Sequence, residues 1–360
     1  MDLLEPLIKK KDPIFLTWLP LSHSYEHTVQ FVQITVAARI FYAESIDKLV
    51  KNMGDCSPEI MTAVPRFYQN LYQKINTSFK KAKGLKKNLI FKMLELGLKK
   101  IRKEDLTFFE KLQDNILEKL VRKKIKSQFG GSLKTFVSGG GALDKEVGYF
   151  LNAIGLPTLQ GYGLTETSPV VSCNPIDDIR IDTVGPPFKG NEVKIAEDGE
   201  ILVKGENVML GYWKKEKETK EIIKNGWLHT GDIGELENNF LKITDRKKDI
   251  IVNLGGDNIS PSKVENHFCN NEKIKQCLVY GDKKNYLVAL IVVDQKDKDN
   301  ATIRSIIENL NKDLTIIEKI KKFILISEEF TIENGLMTPT LKLKRKKIIE
   351  KYQQELEKLY

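Results

Sequence analysis

Two short apolar segments that run directly into glycine clusters constrain the fold of this chain more than any other feature. Leu133 to Val137 precedes Ser138-Gly139-Gly140-Gly141, a helical segment starts at Asp144, and a second apolar segment leads into Gly161-Tyr162-Gly163. A strand, a glycine turn and a helix in this order are typical of an α/β domain, and the glycines let a ligand approach free helix N–H groups. Because tight turns also use glycine for steric reasons alone, the first cluster does not by itself establish a phosphate site.

The pattern changes twice further along the chain. From Val184 to Tyr212 the apolar period falls to two, and Asp198-Gly199 predicts a hairpin with a type I′ turn. After Asp249 a small α+β unit is expected, with a hairpin across Gly281-Asp282 and a helix from Pro261 that Ser260 caps. Further helices are predicted over 302–311, 315–322 and 346–359, with a strand at Phe323–Ile326. The predicted fold class is therefore α/β plus α+β.

We place the boundary between the two parts near 245–249. The predicted domains are residues 1–247, which include a basic helical segment at 74–130, and residues 248–360. Between Lys74 and Lys126 there are 17 Lys or Arg against 6 Asp or Glu, an excess larger than the net charge of +9 for the whole chain. Apolar residues at helical spacing in this segment, among them Leu89 and Met93, predict amphipathic helices with the lysines on the solvent side. A solvated face, an anionic membrane surface and nucleic acid stay open as interpretations of that charge.

Composition excludes several classes of protein. The four scattered cysteines show no metal-ligand spacing, which excludes a disulfide framework and a zinc ribbon. No apolar run approaches the length that crosses a bilayer, and Met1 to Lys11 does not resemble a secretory signal. We expect a cytoplasmic protein, and the basic helices leave peripheral contact with the inner face of a membrane open.

Three further segments carry chemistry. Gly161 to Pro169 offers turn glycines, an aromatic ring, hydroxyls and the lone carboxylate of Glu166, which suit phosphate oxygens and Mg²⁺, with a Ser/Thr-rich loop and a capping glutamate as the alternative. Asp232 follows a tight turn and suits two ribose hydroxyls, although an Asx turn has the same composition. Arg246 stands among five charged residues, where it suits ribose or phosphate oxygens, with a solvated β-turn as the alternative.

Together these segments resemble the adenylate-forming (AMP-binding) acyl-CoA synthetases, in particular the long-chain fatty acid CoA ligase branch. Five blocks occur in the order of that family and cover nearly the whole chain. They are Leu19-Pro20-Leu21-Ser22-His23-Ser24-Tyr25-Glu26-His27, Tyr162-Gly163-Leu164-Thr165-Glu166, Gly226-Trp227-Leu228-His229-Thr230-Gly231-Asp232, Asp245-Arg246-Lys247-Lys248-Asp249 and Gly255-Gly256-Asp257-Asn258-Ile259-Ser260-Pro261. The resemblance implies part of a large adenylation domain, with α/β sheet layers and a small β-barrel-like part, followed by a small mobile C-terminal lid.

The resemblance also implies roles for individual residues. Thr165 would contact the α-phosphate, Glu166 would bind Mg²⁺, and Lys248 would be the hinge of the small domain. His23 would lie near the acyl group and the thiol, with a packed core histidine as the alternative, and Gly255 and Gly256 would enter the coenzyme A channel. The predicted nucleotide-binding residues are Gly139, Gly140, Gly141, Ala142, Gly161, Tyr162, Gly163, Thr165, Asp232 and Arg246. The implied substrates are a fatty acid, ATP and coenzyme A, and nucleic acid is not an expected partner.

The last motif contains the expected catalytic lysine. The wider family ends with Ser-Gly-Lys, and here Thr340-Leu341-Lys342 stands in that place, with leucine where glycine is usual. Lys342 aligns with the catalytic lysine, and Lys344 is the competing candidate because the tract 342–347 holds five cations.

One departure from the family bears on activity. Full-length relatives carry a Thr-Ser-Gly-Thr-Thr-Gly-x-Pro-Lys-Gly phosphate loop ahead of the Pro-Leu-Ser-His block, and this sequence has no such segment. We therefore expect the C-terminal part of a synthetase with an exposed sheet edge. It would be a ligase component, active alone or with a separately encoded N-terminal half, or a non-catalytic remnant that binds AMP, acyl-AMP or a membrane surface.

Overall fold

The computed structural model describes residues 12–294 and 299–360. The expectation about a secretory signal at Met1 to Lys11 concerns residues outside the described ranges. The chain divides into two compact units, Met1–Ile243 and Thr244–Tyr360. Within the described ranges no helix is both long and apolar enough to cross a membrane.

A six-stranded sheet forms the centre of the first unit, in the order β2-β1-β3-β4-β5-β6. The strands are β1 (Ile14–Thr17), β2 (Arg39–Tyr42), β3 (Ile60–Ala63), β4 (Thr135–Ser138), β5 (Thr158–Gly163) and β6 (Val170–Cys173). The helices are α1 (Ser24–Thr35), α2 (Leu49–Cys56), α3 (Pro65–Lys80), α4 (Gly84–Ile101), α5 (Phe108–Leu117), α6 (Lys123–Ser127) and α7 (Lys145–Ala153), with a π turn at Glu118–Arg122 and a 3₁₀ turn at Thr165–Thr167. The first five strands run parallel, whereas β6 is antiparallel to β5. The glycine turns thus follow strands of an α/β sheet, as the sequence predicts.

The second sheet of this unit has the order β11-β10-β8-β7, with β9 paired to β10. Its elements are β7 (Asn191–Ile195), β8 (Glu200–Gly205), α8 (Glu216–Ile222), β9 (Ile223–Lys224), β10 (Trp227–Glu237) and β11 (Phe240–Arg246). The hairpin of β7 and β8 is confirmed, but its type I′ turn is wrong, because Gly199 has a positive φ and Asp198 does not. The Gly199 amide donates to the Ala196 carbonyl, so a type I turn over Glu197 and Asp198 ends in a left-handed glycine.

The second unit is an α+β arrangement. Its elements are β12 (Ile251–Val252), β13 (Asn258–Ile259), α9 (Pro261–Cys269), β14 (Gln276–Tyr280), β15 (Leu287–Val292), α10 (Asn300–Leu310), β16 (Ile320–Ile326), α11 (Arg345–Lys351) and α12 (Gln353–Glu357). The hairpin of β14 and β15 is confirmed, and so is α9, where the Ser260 hydroxyl accepts the Lys263 amide. The helix predicted over 315–322 is wrong: one 3₁₀ turn at Ile316–Glu318 gives way to β16, which pairs parallel with β15.

The basic segment folds into helices, but only part of its apolar pattern faces the core. In α4, Ile90 and Met93 are buried, as the sequence predicts, whereas Leu85 of the same apolar pattern is exposed. In α5 the expectation of a buried apolar face is wrong, because Phe108, Leu112 and Ile116 are exposed. The inner side of α5 is formed instead by Asp114 and Leu117, which are both buried.

Helix α4 packs so closely on α7 that one added methyl group at the contact is expected to destabilise the protein. A Cβ on Gly97 would lie 2.4 Å from the Ala153 carbonyl oxygen, so Gly97→Ala is expected to lower the free energy of unfolding by about 2 kcal/mol. Gly54 in α2 is the matched control, since a Cβ there meets no atom within 4 Å and Gly54→Ala is expected to stabilise by about 0.5 kcal/mol. Urea denaturation measures both, and equal effects of the two substitutions would contradict this account.

Candidate functional site

The segments that the sequence singles out in the first unit lie along one edge of the six-stranded sheet. β1, β3, β4 and β5 are parallel, so their carboxyl ends share an edge, where ligands of open α/β sheets bind. The His23 segment follows β1, Gly139 to Ala142 follows β4, and Thr165 and Glu166 follow β5. Residues far apart in the sequence are therefore neighbours in the fold.

The glycine turn after β4 packs against the ring of a tyrosine, Tyr25. A Cβ on Gly139 would lie 2.7 Å from the Tyr25 ring, and the Tyr25 hydroxyl donates to the Val137 carbonyl at 3.0 Å. Gly140 has φ +77°, a left-handed conformation that favours glycine, and the Gly139 amide donates to the Ala63 carbonyl. The glycines thus serve both close packing and an unusual backbone path.

Tyr162 and Asp232, two of the predicted nucleotide-binding residues, are in direct contact. The Tyr162 hydroxyl donates to Asp232 Oδ2 at 2.8 Å across 70 positions of sequence, and both residues are buried. The turn before Asp232 is fixed by Glu200, whose Oε1 accepts the Gly231 amide at 2.8 Å, while Gly231 has φ +73°. A rigid turn therefore holds the carboxylate beside the end of β5.

Thr165 and Glu166 are held by contacts from two other segments. The Ser24 and Thr165 hydroxyls lie 3.3 Å apart, which connects the start of α1 to the turn after β5. The Met209 amide donates to the Glu166 carbonyl at 2.8 Å, and the Tyr212 hydroxyl donates to Glu166 Oε1 at 2.7 Å. This hydrogen bond to a carboxylate raises the pKa of Tyr212 to about 12. Tyr212 therefore fixes the orientation of the Glu166 side chain.

His23 is neither a packed core residue nor fully exposed. It is half-buried at the N-cap of α1, where its Nδ1 accepts the Tyr25 amide at 3.2 Å. Accepting this bond requires an unprotonated Nδ1. Its side chain therefore helps to start the helix that carries Ser24 and Tyr25.

The remaining predicted site residues belong to the second unit. The amides of Asp249 and Ile250 donate to the Arg246 carbonyl, so Arg246 and Lys248 lie in a tight exposed turn. Gly255 and Gly256 are exposed in the loop between β12 and β13, where Gly256 has φ +85°. Arg246 is the last residue of β11, a strand that begins in the first unit and crosses the division after Ile243.

Lys342 and Lys344 have different surroundings. Lys342 is exposed at the end of a tight turn in which its amide donates to Thr338 Oγ1 and its carbonyl accepts the Thr338 amide. Leu341, where the family has glycine, has φ +60°, the conformation in which glycine is favoured. Lys344 is half-buried next to α11, and its amide donates to the Leu336 carbonyl. The turn therefore presents Lys342 to solvent.

Mg²⁺ fits this site only as an ion held mainly by substrate. The described residues contain no group of three His, Cys, Asp or Glu side chains that would hold a metal by themselves. A magnesium ion in nucleotide sites uses one or two carboxylates and completes its shell with phosphate oxygens and water. The single carboxylate of Glu166 is compatible with that mode.

Tyr25, Ser24 and Tyr212 were not identified from the sequence. The signal for Tyr25 in the sequence is its place in the block that contains His23. The signal for Tyr212 is that this aromatic residue directly follows Gly211. Gly211 has φ +151°, and a Cβ there would lie 2.7 Å from the Thr219 side chain. Neither signal indicates a partner, because the contacts depend on how the sheet folds.

Comparison with known proteins agrees with this fold. The glycine turns and polar residues lie along the carboxyl edge of the sheet, which is where open α/β sheets bind their ligands. The fold and the site therefore define a ligand-binding α/β protein. The AMP-binding enzyme model matches residues 3–213 and the AMP-binding enzyme C-terminal domain matches residues 248–360. The chain belongs to the AMP-binding enzyme family.

The curated relatives are named as long-chain fatty acid CoA ligases. The chain is 31% identical to the long-chain-fatty-acid–CoA ligase FadD15 of Mycobacterium tuberculosis, an alignment that covers 99% of this chain and 63% of the relative. It is 30% identical to the mouse long-chain-fatty-acid–CoA ligase 5, with 100% and 58% covered. The chain thus spans less than two thirds of the length of these relatives.

Solved structures share the fold at lower identity. The adenylation domain of a carboxylate reductase from Mycobacterium chelonae superposes with a TM-score of 0.76 at 22% identity, covering 99% of this chain and 56% of that one. The o-succinylbenzoate CoA synthetase of Bacillus subtilis superposes with a TM-score of 0.69 at 20% identity, covering 96% and 62%. These likenesses establish the adenylation-domain fold of the chain.

Proposed function

We propose that this chain carries out or completes the AMP-forming ligation of a long-chain fatty acid to coenzyme A through an acyl-AMP intermediate. The observation that carries the proposal is the arrangement of Tyr162, Asp232, Thr165 and Glu166 at the carboxyl edge of one sheet. The names of the curated relatives support a long-chain fatty acid as the substrate class.

In this proposal the first unit binds the nucleotide. Gly139 to Ala142, Gly161, Tyr162 and Gly163 form the adenine site, and the Asp232 carboxylate accepts hydrogen bonds from the ribose hydroxyls. Arg246 is the second residue proposed to bind the ribose hydroxyls, through its guanidinium. The Thr165 hydroxyl donates to the α-phosphate, and the Ser24 hydroxyl beside it restricts its rotamer. Glu166 would hold Mg²⁺, which when bound supplies positive charge near the phosphate oxygens.

The reaction has two displacement steps. The fatty acid carboxylate attacks the α-phosphorus of ATP, the bond to the bridging oxygen breaks, and pyrophosphate leaves. Lys342 stabilises the charge on the carboxylate and α-phosphate oxygens in this step. In the second unit, Lys248 is the proposed hinge, and Gly255 and Gly256 are proposed to line the path of coenzyme A. In the first unit, His23 is proposed to lie near the acyl group. The thiol loses its proton to water, its sulfur bonds to the acyl carbon, and the bond from that carbon to the phosphate oxygen breaks, so that AMP leaves.

The experiment that tests the proposal measures thioester formation with Mg-ATP, coenzyme A and palmitate or oleate. A parallel reaction supplies preformed acyl-AMP, which bypasses adenylation. Thioester from ATP supports the complete ligase, and thioester from acyl-AMP alone supports a chain that needs a separate polypeptide for adenylation. No thioester from either, in a folded sample, contradicts the proposal and favours a non-catalytic nucleotide-binding protein.

The Tyr212–Glu166 hydrogen bond predicts a change in magnesium dependence. Tyr212→Phe removes the donor that orients the carboxylate, so the Mg²⁺ concentration for half-maximal pyrophosphate release is expected to rise about tenfold. Tyr42→Phe is the control, because the Tyr42 hydroxyl donates to Gln30 and not to a site residue. An unchanged magnesium dependence in Tyr212→Phe would show that the Tyr212 hydroxyl does not position Glu166 for the ion.

A further inference from the structure

A row of large apolar side chains lies on the outer side of the basic helical segment. Residues 108–127 run through α5, the π turn and α6 as one helical rod about 30 Å long. We call five exposed residues on it the apolar stripe. They are Phe108 (78% exposed), Phe109 (74%), Leu112 (53%), Ile116 (48%) and Leu120 (59%). Contiguous exposed apolar side chains of this size mark interaction surfaces.

The spacing keeps these side chains in line. Phe108, Leu112, Ile116 and Leu120 are four residues apart, slightly more than one turn of an α-helix, so the row drifts slowly around the rod. Leu120 lies in the π turn, where four residues make less than one turn, which counters that drift. The stripe therefore forms one continuous apolar face.

The opposite side of the rod attaches it to the core. Leu117 and Ile125 are buried in the main hydrophobic cluster of the first unit. Asp114 Oδ1 accepts from the buried Arg122 at 2.6 Å, and Arg122 also donates to the Ala153 carbonyl at 3.0 Å. The rod is thus held by its inner side, and the fold does not depend on burying the stripe.

Acidic side chains lie mainly on the inner side of the rod and lysines mainly on its outer side. Glu110 and Asp114 turn inward and pair with Lys99 and Lys100 of α4 at 2.5 and 2.8 Å. Exposed lysines flank the stripe at positions 111, 119, 123 and 124. Within the rod the exposed acid is Glu118, whose Oε2 lies 3.5 Å from an Arg122 guanidinium nitrogen, and Glu104 and Asp105 are exposed just before the rod begins. The outer side therefore combines apolar side chains with an excess of positive charge.

We propose that the apolar stripe and its lysines dock the protein on the surface of an anionic lipid bilayer. Aromatic and aliphatic side chains insert between the headgroups, while the lysines contact lipid phosphates, as in helices that lie in the membrane interface. Two copies joined through their stripes would bring the lysines of both together, which opposes self-association. A nucleic acid would be attracted by the lysines but would leave the five apolar side chains in water. The inference rests on this surface alone and not on the proposed reaction.

The test is co-sedimentation of the full chain with vesicles of phosphatidylcholine, pure or containing about 30 mol% phosphatidylglycerol. We expect binding to the anionic vesicles and at least tenfold weaker binding to the neutral ones. The variant Phe108→Ser/Phe109→Ser/Leu112→Ser is expected to bind at least tenfold more weakly than the natural chain. The matched control Phe31→Ser/Ile34→Ser removes two exposed apolar side chains from α1, which has no lysine, and is expected to bind normally.

A variant that lacks three lysines separates the contribution of charge to vesicle binding from that of the apolar side chains. Lys111→Gln/Lys119→Gln/Lys123→Gln keeps the stripe and is expected to lose at least tenfold in binding to the anionic vesicles, since each lysine near the surface contributes. No vesicle binding by the natural chain, or equal binding of the stripe variant, overturns the proposal. Sedimentation velocity tests a second copy as the occupant: a dimer that the stripe variant dissociates, without vesicle binding, would overturn the proposal and assign the face to that copy. Circular dichroism of each variant confirms that the helices are retained.

Discussion

Lys342→Ala is expected to lower the rate of acyl-AMP formation about 10²–10³-fold, the loss typical when a group that stabilises developing charge is removed. Lys342 is exposed at the end of a turn that four hydrogen bonds with Thr338 hold closed. Thioester formation from preformed acyl-AMP is expected to change less than about threefold, because in the proposed reaction the lysine acts only on the first step. Pyrophosphate release and thioester formation, measured separately, give the two rates.

Lys344→Ala is the matched control for this prediction. Lys344 follows Lys342 by two residues and carries the same charge, but it is half-buried at the start of α11. The next cation, Arg345, pairs with Glu265 at 2.6 Å and donates to the Val279 carbonyl, so it supports the fold of the second unit. A large loss of adenylation in Lys344→Ala, with little change in Lys342→Ala, would reverse the assignment.

The elements that the sequence predicts correctly are those specified by local chemistry. Ser260 and Pro261 start α9 because the serine caps it and the proline suits the first helical position. The β7–β8 hairpin follows from alternation about a glycine turn, although the type of turn depends on which residues take positive φ. Near neighbours in sequence decide these features, so a single sequence contains the information.

The elements that sequence analysis misses depend on distant contacts. The segment 315–322 has a helical pattern, but Ile320 and Ile326 are buried by parallel pairing of β16 with β15, so tertiary contacts override local preference. In the same way Tyr212 meets Glu166 across 46 residues, and Tyr25 meets Gly139 across the sheet. The motifs single out Gly139, Glu166 and the pair Tyr162 and Asp232, but not Tyr25 and Tyr212, which contact two of them.

The second large effect concerns pH and the buried carboxyl group of Glu26. Glu26 lies in the first turn of α1 with no exposed surface, and its Oε2 accepts the Thr62 hydroxyl at 2.8 Å. Among the described residues its Oε1 has no hydrogen-bond partner. Burial raises the pKa of Glu26 from 4.5 to about 7. Between pH 4.5 and about 7, the Glu26 carboxyl group therefore keeps its proton in the folded protein but loses it in the unfolded chain.

The direction of the effect follows from this difference in proton binding. Below pH 4.5 Glu26 is protonated in both states, and the full stability is present. As the pH rises to about 7, the unfolded state ionises first and gains free energy, so the first unit is expected to lose about 3 kcal/mol of stability. Glu26→Gln replaces the acid by a neutral side chain of the same shape and is expected to remove this decline.

Urea denaturation followed by tryptophan fluorescence measures the decline selectively. Trp18, Trp213 and Trp227 all lie in the first unit, and the Trp18 indole donates to the Thr62 carbonyl, next to Glu26. Exposed Glu237 provides the control, since Glu237→Gln is expected to leave the pH profile unchanged. If Glu26→Gln keeps the decline of the natural chain between pH 5 and 7, another group is responsible. If it flattens the profile, the helix that carries His23, Ser24 and Tyr25 rests on a carboxyl group that is neutral below pH 7, because ionisation there costs folding energy.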